Sequence, residues 1–150
     1  MYAFVDRPVE SLCNSGRFLL WAMRGWADAA RRGRCPRRAL ERGFLCVQAG
    51  ETLSDFHVAM TLIAGDALAP IALAPMRCAR IGEGEAILLG LWRDLADGAA
   101  DRVRKTLALF VERDGVAPLV AAMSAALAAL AAAGFDLSDL SPHARHQENR

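Results

Sequence analysis

Apolar positions recur with a helical period along most of this chain. Val9, Leu12, Gly16, Leu19, Leu20, Met23 and Ala27 share one face of a helix predicted over residues 9–32, with Gly33 as its stop. Pro36 suits the first turn of a second helix over 36–47, whose Leu40, Phe44 and Val47 point inward and which Gly50 breaks. Thr52, with Asp55 three residues later, is close to a capping box and opens a third helix carrying Leu53, Phe56, Met60, Ile63 and Ala67. The stretch 68–82 is apolar but punctuated by Pro70 and Pro75. It is too interrupted for a helix and too apolar for a solvated loop, so an extended connection across the bundle is expected.

Glu83 and Glu85 complement the dipole of a fourth helix, in which Ile87, Leu88, Leu91, Trp92 and Leu95 keep the period up to Gly98. A fifth helix is expected over 99–113, with Val103, Leu107, Phe110 and Val111 inward. Val116, Val120, Met123, Leu127 and Leu130 then step by four and three, a heptad stripe on a sixth helix ending near Gly134. The run 115–135 carries no charge and is long enough to span a bilayer. Nearly half of it is alanine, however, and Asp114 and Asp136 flank it where a membrane helix favours Arg, Lys, Trp or Tyr. A buried bundle helix is the expectation. The pattern as a whole predicts an all-α fold, a compact bundle of five to six helices. It occupies a single domain over residues 1–140 and precedes a polar, disordered tail over 141–150.

Composition narrows the function classes. A net charge of +1 gives no global attraction to nucleic acid or to an anionic membrane. Among the 18 basic residues Lys105 is the only lysine, so any local cationic patch is built from arginine forks. The four cysteines, Cys13, Cys35, Cys46 and Cys78, form no C-x-x-C pair, and the N-terminus lacks the pattern of a secretory signal. Free thiols and a cytoplasmic, water-soluble protein without a membrane partner are expected. No catalytic motif, metal box or nucleotide loop stands out, so no catalytic residue, metal or cofactor is assigned. The Gly82-Glu83-Gly84-Glu85 run is only superficially a phosphate loop, because its acids repel phosphate.

The sequence nevertheless singles out several groups. Arg31, Arg32, Arg34, Arg37, Arg38 and Arg42 crowd the turn between the first two helices, with Glu41 the only acid there. Arginines in the first turn of a helix oppose its dipole unless an anion binds, so Arg34, Arg37 and Arg38 form a candidate site for a phosphate-containing ligand. Cys35, set between arginines just before Pro36, is the thiol expected to react fastest. The second and third helices have the layout of a helix-turn-helix, but residues 54–64 contain no Arg or Lys, which argues against sequence-specific DNA reading. His57 lies beside the core stripe of the third helix without a metal-ligating partner, and His143 and His146 lie in the polar tail. On the first helix, Trp21 falls on the polar face between Arg17 and Arg24, with Phe18 and Gly25 nearby.

These features favour a small interaction or adaptor protein, a homodimer using Arg17, Phe18, Trp21, Arg24 and Gly25 as its interface. An anion-dependent binder of a phosphorylated ligand or nucleic acid through the arginine cluster is the alternative. A third reading is a ligand-binding bundle or enzyme whose groups converge only in space; whether His57, Cys78 and Arg80 do so is not set by the sequence.

Overall fold

The first helix begins later than its apolar pattern suggests. In a computed structural model, which describes residues 3–140, Val9–Ser11 form a single 3₁₀ turn and α1 runs over Asn14–Arg31. The interruption is at Cys13, whose extended backbone caps α1 and whose Sγ accepts from the Gly16 amide at 3.5 Å. Pro36 starts α2, Pro36–Cys46, as a residue lacking an amide proton should. A 3₁₀ turn over Gly50–Thr52 leads straight into α3, Leu53–Asp66. Thr52 therefore already has helical dihedrals, its hydroxyl makes no cap bond, and the expected Thr52–Asp55 capping box does not form.

The acidic start of α4, Glu83–Ala96, is where a side chain does reach back: Glu85 Oε1 accepts from the Gly82 amide at 2.8 Å. The short α5, Ala100–Leu107, stops well before Arg113. Beyond Leu107 the helix gives way to a turn, and Val111, buried as expected, pairs with Ala67 in an antiparallel bridge while the Phe110 carbonyl accepts from the Leu68 amide at 2.8 Å. Long-range pairing thus overrides the local helical period at Phe110 and Val111. The last helix, α6, covers Val116–Ala132, and Gly134 follows it with φ +93°.

The six helices form the expected all-α bundle, with α3 lying along α6 and α2 along α1. Rings thread its centre: Phe18 meets Phe44 at 5.0 Å between centroids, Phe44 meets Phe56 at 5.6 Å, and Phe56 stacks on the fully buried Trp92 at 6.1 Å. Residues 113–132 are long and apolar enough to cross a membrane by length and composition. In the bundle this segment buries Val120, Met123 and Leu130 of its heptad stripe, together with Leu119 and Ala126, while Val116 and Leu127 of the stripe are half-buried. The polar tail with His143 and His146 lies outside the described residues.

Residues 69–77 form the predicted extended connection, a strap fixed at its ends. At one end Ala67 and Leu68 pair with Val111 and Phe110. At the other, the Ile81 carbonyl accepts from Asp6, and the Ala79 carbonyl accepts from Val9. Between these anchors the described backbone makes one internal hydrogen bond, from the Cys78 amide to the Pro75 carbonyl at 3.0 Å.

Candidate functional site

Arg24 does not lie on a solvent-facing polar stripe. Its side chain is 3% exposed, because Leu20 four residues before and Ala27 three residues after place it on the core side of α1. Its Nε donates to Glu85 Oε2, and its Nη2 donates to Glu85 Oε1 at 2.9 Å, a bidentate pair buried on both sides. Nη1 donates to the Cys78 carbonyl at 2.7 Å and Nη2 to the Arg80 carbonyl at 2.9 Å. The hydrogen bond to Glu85 raises the Arg24 pKa against the opposing effect of burial, so the guanidinium stays charged. This cluster ties α1, α4 and the end of the strap together. Cys78 and Arg80 do converge, through their carbonyls on Arg24, whereas His57 is engaged elsewhere.

The aromatic patch expected as an interface is half-buried against other parts of the chain. The Trp21 ring lies so close over Gly43 of α2 that a Cβ there would overlap it. Gly25 faces Leu40, where an added Cβ would lie 2.8 Å from a leucine methyl. Phe18 stacks on Phe135 at 4.8 Å between centroids. Of the five residues only Arg17 is exposed, its Nε donating to the Leu12 carbonyl at 3.0 Å. Trp21 is thus half-buried rather than fully exposed, because glycines at 25 and 43 let α1 and α2 pack closely.

The arginine turn has the predicted exposure. Arg34, Arg37 and Arg38 are exposed, and among the described residues none has an ion-pair partner. Cys35 is exposed at the start of α2 and makes no side-chain cap bond. His57, half-buried on α3, accepts a 2.9 Å hydrogen bond at Nδ1 from the Trp26 indole N–H. Nδ1 must therefore be unprotonated, leaving the proton of the neutral ring on Nε2. Burial pushes the imidazole pKa down, and the nearby Arg37 charge pushes it further the same way.

The strap walls two apolar grooves. The first, about 380 Å³, runs between α1, α3 and the strap, with Trp26, Met60, Ile63, Leu73 and Leu88 among its walls. Arg31, at the end of α1, is the only charged residue lining it among the described residues. The second, about 530 Å³, lies on the strap's other side against α4 and the turn after α5, lined by Leu68, Ile71, Ile87, Leu109 and Phe110. Among the described residues Glu83 is its only charged lining residue. Gly84 lets the strap settle on α4, because a Cβ there would overlap the Ala72 carbonyl.

No sequence motif marks either groove. The one signal was the run 68–82 itself, apolar yet non-helical, which must cover something. Among the described residues no cluster of His, Cys, Asp and Glu suitable for a metal occurs. No known protein family, no curated protein and no solved structure matches the chain.

Proposed function

We propose that this protein binds a single-chain anionic amphiphile, such as a fatty acid, with the hydrocarbon in the first groove and the head group at Arg31. One observation carries the reading: a single cation lines an otherwise apolar cavity. Asp28, the acid nearest Arg31, lies 3.8 Å from it and is held more closely by Arg32 at 3.2 Å. Much of the Arg31 charge is thus open to an added anion. The cavity of about 380 Å³ falls within the usual range for small-ligand sites. Each methylene moved from water onto Met60, Ile63, Leu73 and Leu88 contributes roughly 0.8 kcal/mol.

This reading keeps the ligand-binding bundle and moves the anion site from Arg34, Arg37 and Arg38 to Arg31, and it needs no second copy of the chain, since one chain supplies the walls described. It invokes binding without reaction: no lining residue offers a nucleophile or an acid–base pair. The four unpaired cysteines support a reducing compartment, the cytoplasm, as its setting.

Calorimetric titration with dodecanoate and with dodecanol tests the proposal. The carboxylate should bind more tightly than the alcohol, and Arg31→Glu should remove that preference while leaving the alcohol nearly unaffected. Equal affinities in the wild type would remove the role of Arg31. Absence of binding by both ligands would end the reading.

A further inference from the structure

We infer that the second groove is a subsite for the far end of the same ligand, so that the protein selects long acyl chains. The inference rests on the first-groove reading above and adds chain length to it. Pro70, Ile71, Ala72 and Leu73 wall both grooves. On α4 the two linings adjoin: Leu88 lines the first groove, and Ile87, its neighbour in sequence, and Gly84, one turn earlier, line the second. A hydrocarbon too long for the first groove therefore meets a further apolar surface at the strap instead of water.

Charge fixes the direction. Arg31 stands at the first groove and Glu83 at the second, each the only charged residue of its lining among the described residues. A carboxylate is attracted to one and repelled by the other, so the head stays at Arg31 and only the tail enters the second groove. The exposed side chains of this region fit a hydrocarbon occupant. Leu68 is 57% exposed and Leu109 is 68% exposed, both on the second groove, and they are joined through the Leu68 amide and the Phe110 carbonyl. The strap between its anchors has a single internal backbone hydrogen bond, and Ile71 and Leu73 are only half-buried on it, which leaves apolar surface for a chain passing beside them.

The experiment compares octanoate, dodecanoate and hexadecanoate by calorimetric titration. Affinity should keep rising through hexadecanoate, by up to about fourfold for each methylene that is buried. In the double variant Leu68→Glu with Leu109→Glu, octanoate should bind as it does to the wild type, and the advantage of hexadecanoate over dodecanoate should fall by at least about tenfold. Both positions are exposed, so the substitutions leave the core intact, and unchanged octanoate binding checks the fold. A plateau before hexadecanoate in the wild type, or an undiminished preference for it in the variant, would overturn the second subsite and leave the first standing. Failure of all three ligands to bind would remove both.

Discussion

Arg24 and Glu85, 61 residues apart in sequence, form a bidentate ion pair in the core, and the same guanidinium holds the carbonyls of Cys78 and Arg80. A buried pair contributes little net stability compared with a well-packed apolar pair, yet breaking it strands a charge. Arg24→Met should therefore destabilise the fold by about 3–5 kcal/mol, because Glu85 loses its partner. Adding Glu85→Leu removes the stranded carboxylate and should restore much of that loss. The recovery should stop short by about 1–3 kcal/mol, because the Cys78 and Arg80 carbonyls and the Gly82 amide still lack partners. Urea unfolding of the wild type and both variants measures each step. A double variant no more stable than Arg24→Met would mean that Glu85 is not the residue left uncompensated.

Both members of this pair are legible in the sequence once each is set against its own core stripe. Arg24 follows Leu20 by four, and Glu85 precedes Leu88 and Leu89 by three and four, so both fall on buried faces. The heptad line Arg17, Arg24 and Arg31 points the other way, and with no partner in view a buried arginine is the rarer choice. Six helices were readable because each has its own periodic stripe. The early end of α5 was not, since it depends on Val111 pairing with Ala67, 44 positions earlier in the chain. The grooves were out of reach for the same reason. They exist only where the strap, pinned at Leu68 and at Arg80, crosses α4, and no local pattern encodes that crossing.

The contact between Trp21 and Gly43 yields a second prediction. Alanine is favoured over glycine inside a helix by about 1 kcal/mol, so Gly43→Ala should stabilise an isolated α2. In the folded protein the added methyl meets the indole ring, and overpacking of this kind costs about 1–3 kcal/mol. Gly43→Ala should thus be neutral to destabilising by up to about 2 kcal/mol once the propensity gain is offset. Combined with Trp21→Leu, the same substitution should be stabilising relative to Trp21→Leu alone. A double-mutant cycle by thermal unfolding gives the coupling, and additivity would show that the ring does not press on position 43.

Thr52 gives a prediction of opposite sign. Its hydroxyl is fully buried and has no hydrogen-bond partner among the described residues. An unsatisfied buried hydroxyl costs about 1–3 kcal/mol, and valine has nearly the same shape without it. Thr52→Val should raise the melting temperature by about 2–4 °C for each kcal/mol recovered. Thr52→Ser keeps the hydroxyl and removes a buried methyl, so it should lower the melting temperature. A fall on Thr52→Val would mean that the hydroxyl is satisfied in solution.

The hydrogen bond from Trp26 to His57 makes stability depend on pH in a defined direction. The indole N–H points at Nδ1, which can accept only while it is unprotonated. Burial and the charge of Arg37 also favour the neutral ring, so the folded pKa lies below the ordinary 6.5. Between the lowered pKa and 6.5 the unfolded chain binds more protons than the folded one. The contribution of His57 is therefore fully present above 6.5 and is lost as the pH falls through the folded pKa. His57→Asn offers an oxygen near the Nδ1 position and does not titrate. Melting temperatures of wild type and variant, compared from neutral pH downward, isolate His57 from the carboxylates that titrate in both proteins. The gap between them should move against the wild type as the solution is acidified below 6.5. A gap that stays constant with pH would show that the imidazole protonates as easily in the fold as in water, and that the bond from Trp26 does not hold it neutral.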